Sequence, residues 1–396
     1  MDEETSSAFS VALTGSAVCD VAPIPALALN ASSTADLVPL LAALQKHPVR
    51  SPAREELLRR QGRTPVDVAR ELSGRYGRQL DEITYIPAMA LVGRLRLGEL
   101  TGDTSHRRDV ERLAEPYLSG KKPSLPAVSN GSQQAGHLLF GELAEITSDK
   151  RYVTLLRQAA DLGFDAQGRP REVMPAHAEM SDAIFLGTPL LALTARLTGE
   201  AKYREVALRH LRTMVKLNVR PDGLHRHSPV APDQTAWGRG NGFVAAGLAL
   251  TLAEWPEEDA AFQELLALYR AHLAAMLPHQ DALGMWHQVI DHPESYREYT
   301  VTCMTVFAIV RGLRRGWLDR ATFEPVVQRA WSGILQRTAP GGGLVDVCAG
   351  TGKMKSLREY LDRPAILGPD DRGGAMALLV STELAFAERE GKLSLQ

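Results

Sequence analysis

A tripeptide recurs in this chain at the end of one apolar, helix-periodic stretch after another, and its spacing restricts the fold more than any other feature. Residues 90–100 run into Thr101-Gly-Asp103, residues 138–146 into Thr147-Ser-Asp149, and residues 190–197 into Thr198-Gly-Glu200. The three threonines lie 46 and 51 residues apart. After each tripeptide comes a second helical stretch, over 106–117, 150–162 and 201–215, with Tyr152 and Tyr203 at equivalent first-turn positions. A helix, a short turn with Gly or Asp, and a return helix make an αα-hairpin of about 45 to 50 residues.

Weaker copies follow. Residues 244–253 turn at Glu254-Trp-Pro256 into 259–276, residues 301–315 turn at Gly316-Trp-Leu-Asp319 into 320–335, and a last helix spans 374–390. With an opening helix these make about six pairs, which stack either as an open solenoid or as a closed toroid around a central cavity. The linkers favour the toroid. Segments 118–136, 163–181, 216–241, 277–299 and 336–372 are long, rich in Gly, Pro, His, Trp and Asp, and all follow the second helix of a pair. Long loops on one side of a compact fold usually carry function. No segment is strand-rich, so the expectation is an all-α barrel over 81–396, preceded by an N-terminal helical extension over 1–80. In that extension Ser51-Pro52 and Thr64-Pro65 each place an N-cap candidate before a first-turn proline, and Asp67 completes a capping box with Thr64.

Composition excludes several classes of partner. A formal net charge of -2 offers no basic field for nucleic acid. No apolar run approaches the roughly 20 residues that span a bilayer. Three cysteines without a CxxC pair suggest neither a disulfide framework nor a zinc–cysteine site. The acidic start Met-Asp-Glu-Glu is unlike a secretory n-region, so a cytoplasmic protein is expected.

The Gly-rich run Trp237-Gly-Arg-Gly-Asn-Gly-Phe243 opens the small-residue helix over 244–252, and its glycines are expected to turn tightly and let a ligand approach. It is not a dinucleotide fingerprint, because the third glycine comes one residue early and no strand precedes it. Nor is Gly350-Thr-Gly-Lys353 a P-loop, since Val347 stands where a glycine is needed and Met354 where a hydroxyl would hold magnesium.

The residues able to do chemistry fall at the starts of the inner helices. His177 and Asp182 precede the apolar run Ile184-Phe185-Leu186, where Asp182 reads either as a helix N-cap or as a carboxyl facing the cavity. His225 and His227 alternate, which points them to opposite sides of an extended segment and argues against a shared zinc. No metal and no cofactor are expected. Trp237 and Trp286, near Asn241, His227 and Gln288, resemble a sugar site, where rings stack on apolar sugar faces and amides take hydroxyls.

Six motifs occur in the order found in the unsaturated rhamnogalacturonyl hydrolases: Asp182-x-x-Phe-Leu-Gly-x-Pro189, Gly223-Leu-x-x-His227, Trp237-Gly-Arg-Gly-Asn-Gly-Phe243, Gly284-Met-Trp-His-Gln-Val-Ile-Asp291 with Ser295-Tyr296, Arg314-Arg-Gly-Trp-Leu-Asp319 and Val347-Cys-Ala-Gly-Thr351. Over residues 81–390 the chain resembles these enzymes and the unsaturated glucuronyl hydrolases, which form glycoside hydrolase families 105 and 88. The resemblance implies an (α/α)6 barrel, in agreement with the hairpin count. It also implies a reaction on the 4,5-unsaturated uronic acid that polysaccharide lyases leave at a non-reducing end. An acid protonates C4 of the enol ether, water adds at C5, and the hemiketal rearranges to release the sugar.

By the same resemblance Asp182 is the acid and base, and a pKa raised by the enclosed cavity is the expected requirement. His227, Trp237 and Arg239 would line the uronate subsite, with Arg239 the natural partner of a carboxylate. Asn241, Phe243, His177, Tyr85 and Trp286 join them as substrate-binding candidates. The chain departs from the family at Met180 and Phe243, where tryptophans are usual, and in lacking a second aspartate shortly before Gly136. Asn130 and His137 are the remaining polar candidates there. An unsaturated oligosaccharide is the expected partner, acting on a monomer or homodimer. A sugar epimerase using His177 and His227, and a non-catalytic sugar-binding relative, stand as alternatives.

Overall fold

The computed structural model describes residues 52–395. The chain divides between Gly62 and Arg63 into two units. In the first, helix α1 spans Pro52–Gln61; the expected cap at Ser51 and the residue Cys19 lie outside the described residues.

The second unit is built of helical hairpins. Their elements are α2 (Pro65–Ser73), α3 (Tyr85–Thr101), α4 (Thr104–Leu118), a short α5 (Gly131–Gly136), α6 (Leu138–Thr147), α7 (Lys150–Ala160), α8 (Ala183–Thr198), α9 (Ala201–Asn218), α10 (Gly238–Ala253), α11 (Phe262–Met276), α12 (Tyr299–Arg315), α13 (Arg320–Arg337), α14 (Leu357–Leu361) and α15 (Asp371–Arg389). The repeated tripeptide explains the hairpins. Gly102, Ser148 and Gly199 end α3, α6 and α8 with positive φ of 73°, 58° and 74°, and this left-handed residue turns the chain out of its helix. Asp103 and Asp149 then cap the return helices by accepting the backbone N–H of Ser105 at 2.8 Å and of Arg151 at 2.9 Å.

The first helix of each pair is apolar on all sides and the second on one side only. Thus α8, α10, α12 and α15 are buried along nearly their whole length, whereas α4, α7 and α9 bury a stripe. The inner helices touch in the order α3, α6 with α5, α8, α10, α12, α15, and α15 returns to α3. The ring is therefore a closed (α/α)6 barrel. Glu383 of α15, with no exposed surface, bolts three inner helices together through Arg96 of α3 at 3.1 Å and Arg311 and Arg314 of α12, each at 2.6 Å. Burial alone would push that carboxyl up, but Arg311 first, then Arg96 and Arg314, pull it down to about 2.

Two expectations are corrected. The boundary at residue 80 cuts through the barrel, because α2 packs along α15 as the outer helix of the sixth pair, so that this pair takes one helix from each end of the unit. Thr64 and Asp67 form the expected capping box at its start. Within the last long linker, Leu344–Cys348 (β1) and Ala365–Gly368 (β2) form a two-stranded antiparallel sheet with Val347 opposite Ile366.

Candidate active site

The linkers that follow outer helices are sewn together at one end of the barrel by backbone hydrogen bonds. Ser181 N–H donates to the carbonyl of His227 at 2.9 Å, His227 N–H to Thr235 at 2.9 Å, Gly238 N–H to Gln288 at 2.7 Å and Ile290 N–H to Ala236 at 2.9 Å. Glu298, buried completely, caps α12 through Thr300 and Val301 and accepts the N–H of Cys348 at 2.9 Å, which ties β1 to the same framework. Loops that would otherwise wander are held by bonds that cross between them.

Asp182 sits at the N-cap position of α8, 6 % exposed, yet its side chain makes no capping bond. Its carboxyl is thus free for other work. Oδ2 lies 3.4 Å from His227 Nε2, a long contact, and neither atom has a closer partner. His227, fully buried, holds its Nδ1 2.7 Å from the hydroxyl of Tyr360 and tilts its ring against Trp237 at 4.5 Å. The expectation of a raised Asp182 pKa is overturned. Burial pushes the carboxyl up, but the imidazoles beside it, His227 first and then His177, outweigh it and hold the group below the usual carboxylate value.

Arg239, in the first turn of α10, is 3 % exposed. Its guanidinium donates to the carbonyls of Cys348 at 2.6 Å and Ala349 at 2.8 Å and stacks 5.0 Å over the Trp237 ring. Among the described residues no carboxylate pairs with it. Burial works against its charge, but Cys348, Tyr85, Glu298 and Asp182 around it raise its pKa overall. Tyr85 meets Phe243 edge-on at 5.5 Å and Phe185 at 5.9 Å, which makes an aromatic wall; burial raises its phenol pKa, and Asp182 and Arg239 both act on it. His177 lies in the same linker as Asp182, five residues before it. Its φ is 52°, after Ala176 at 62°, and its Nδ1 accepts the N–H of Gly131 at 3.3 Å.

Other candidates have structural roles. Asn241 is saturated by backbone, accepting from His225 N–H and donating to the carbonyls of His225 and Trp237, so it clamps a loop rather than reading hydroxyls. Trp286 lies in the core with its indole N–H on the carbonyl of Met276 at 2.8 Å. Asn130 caps α5 through a capping box with Gln133. His137 is buried between the carbonyl of Gln133 and Ser124 Oγ, and burial lowers its pKa to about 4. The Gly-rich run is also corrected: Gly238, Gly240 and Gly242 are already helical, and they serve close packing. A Cβ on Gly240 would stand 2.8 Å from Ser181 Oγ.

Tyr360 escaped the reading of the sequence because α14, five residues in a linker, carries no periodic signal; only its contact across 133 residues marks it. Ser181 escaped for the same reason. Unpartnered buried polar atoms collect here: Ser181 Oγ, Asp182 Oδ2, His227 Nε2, Trp237 Nε1, Gln288 Oε1 and Tyr296 Oη. Such atoms are costly without a partner, and their presence in these joined linkers is what a polar ligand would satisfy. Among the described residues no group of three or more His, Cys, Asp or Glu could hold a metal ion.

Comparison with known proteins agrees with this geometry. A solved structure described as a possible member of the GH105 family from Klebsiella pneumoniae superposes with a TM-score of 0.70 at 22% identity, covering 86% of this chain and 96% of that one. The unsaturated rhamnogalacturonyl hydrolase of Bacillus subtilis is 25% identical over 263 residues, 61% of this chain and 72% of that protein. An unsaturated 3S-rhamnoglycuronyl hydrolase of Formosa agariphila is 29% identical over 169 residues, which are 39% of this chain and 45% of that protein's length. The profile of Glycosyl Hydrolase Family 88 matches residues 69–387, from the sixth pair's outer helix to the end of the closing helix. A closed helical barrel with a buried acid at one mouth, matched over that span, belongs to Glycosyl Hydrolase Family 88.

Proposed function

We propose that the chain hydrolyses the 4,5-unsaturated uronic acid at the non-reducing end of a lyase-derived oligosaccharide, with Asp182 as proton donor and acceptor. The observation that carries this reading is a buried carboxyl near a buried guanidinium, Arg239, that has no ion pair among the described residues. An unbalanced buried cation favours an anionic ligand, and a uronate carboxylate matches its fork. The groups that act most strongly on Asp182 are two imidazoles rather than a second carboxylate. A glycosidase attacking the anomeric carbon uses a pair of carboxylates, so protonation of a double bond fits the site better.

The proton of neutral Asp182 goes to C4 while water adds to C5, and the carboxylate takes the proton released by that water. The C5 hemiketal opens to a ketone, and the hemiacetal left at C1 expels the neighbouring sugar as an alcohol. In the free protein Asp182 is anionic at neutral pH, given its lowered pKa. A uronate held on Arg239 brings a second negative charge into the chamber and favours the protonated acid, so binding and protonation are coupled. Relatives are named as unsaturated rhamnogalacturonyl and 3S-rhamnoglycuronyl hydrolases, and the proposal is an activity of that class, in the cytoplasm.

Asp182→Asn tests the reading. It is expected to reduce loss of the unsaturated ring's ultraviolet absorbance by about 10²–10⁴-fold, with unfolding unchanged. Normal turnover by that variant on any disaccharide of a pectin, ulvan and glycosaminoglycan panel would refute the assignment. NMR of the products separates hydrolysis from epimerisation, which frees no sugar.

A further inference from the structure

The tautomer of His227 follows from the surroundings of Tyr360. This phenol is fully buried, and burial pushes its pKa up to about 12, so it keeps its hydrogen. Its oxygen accepts the N–H of Met354 at 3.3 Å. The acceptor within reach of its own hydrogen is His227 Nδ1, at 2.7 Å. Were Nδ1 protonated instead, the phenol oxygen would accept twice and its hydrogen would be buried without a partner, an arrangement that native structures avoid. The bond accounting therefore assigns Nδ1 as acceptor and places the ring's hydrogen on Nε2, which faces Asp182 Oδ2 at 3.4 Å.

We infer that Tyr360 is a positioning residue that locks His227 as the neutral Nε2–H tautomer and so directs the catalytic proton to Asp182 rather than to the imidazole. The inference rests on the reading of Asp182 as the acid. With Nε2 already protonated and Nδ1 engaged by the phenol, an added proton has no free site on His227 and settles on the carboxyl. Without the phenol, Nδ1 accepts it, and an imidazolium beside Asp182 holds the acid ionised. The other charged or titratable groups facing the pair are His177 in the linker before α8, Arg239 on α10 and Tyr85 on α3, and none of them touches Nδ1. The Trp237 ring covers the remaining face of the imidazole. The arrangement joins a short helix of the last linker to the acid at the start of α8, across the barrel mouth.

The test uses the full chain and Tyr360→Phe. Nitrogen-15 NMR of the histidine rings, with His227→Gln identifying the signal, is expected to show His227 of the wild type protonated at Nε2 only at neutral pH. In Tyr360→Phe the same ring is expected to gain a proton at Nδ1 about 10-fold more readily. On an unsaturated disaccharide the variant is expected to lose at least 10-fold in kcat at neutral pH, its basic limb moving to lower pH, while KM changes less than threefold. A wild-type ring protonated at Nδ1 overturns the proposal even if the variant does not fold. An unchanged ring titration and pH profile in a folded variant overturns it too. Wild-type spectra as expected but with no turnover on any unsaturated substrate would leave the tautomer standing and reject the assignment of Asp182.

Discussion

Single side chains divide here by whether their hydrogen bonds are already complete. Asn241 and Trp286 have the chemistry of a sugar site, but each spends its polar atoms on backbone, which makes it part of the frame. Asp182, Trp237 and Ser181 keep atoms without partners although they are buried, and Arg239 keeps a charge without a counter-ion among the described residues. Charge-assisted bonds contribute about 1.5–3 kcal/mol each, so Arg239→Gln is expected to raise KM for an unsaturated uronate about 10- to 100-fold. Steady-state kinetics on a substrate whose carboxyl is reduced to an alcohol checks the cause: that analogue should bind wild type and variant equally. Because the guanidinium also holds the carbonyls of Cys348 and Ala349, the variant should unfold at lower denaturant as well.

At the level of elements, the inner helices depend on small residues where they cross. A Cβ on Gly247 of α10 would lie 2.7 Å from the backbone nitrogen of Phe185 and 2.8 Å from its Cα, on α8. Backbone cannot rotate aside as a side chain can. Gly247→Ala is therefore expected to cost about 1–3 kcal/mol through overpacking, read as a lower midpoint in urea unfolding, in spite of alanine's better helix propensity. The packing also bears on function, since Phe185 and Phe243, on these same two helices, form the aromatic wall with Tyr85. A shift at the crossing would move both ends of the wall. The outer helices carry a different risk: their single apolar stripes need the ring beneath them, which is why α2, short as it is, is required to close the sixth pair.

For the whole molecule, pH acts through buried imidazoles before it acts through carboxylates. Burial lowers His137, His210 and His272 each to about 4, so all three are neutral in the fold, while the unfolded chain protonates them near 6.5. Stability from each is complete above pH 6.5 and is lost as pH falls towards 4, by about 3 kcal/mol per residue at that limit. The thermal midpoint is expected to drop steeply across this window; a flat profile down to pH 4 would show that these rings are hydrated in the fold. The helical repeat was legible beforehand because periodicity and the turn tripeptides, 46 and 51 residues apart, are local properties. Motif resemblance singled out Asp182, His227 and Arg239; in the structure His227 lies 3.4 Å from Asp182, and His227 and Arg239 both lie against the Trp237 ring. What local pattern did not contain was every pairing made across the ring: α2 closing against α15, the strands β1 and β2, and Tyr360 on His227. Nor did it contain the lowered pKa of Asp182, since a pKa is set by neighbours that only closure supplies. Composition and spacing determine which stretches must be helices and which face each buries; which loops meet over the mouth, and which polar atoms are left unpartnered there, is decided by contacts between residues far apart in the chain.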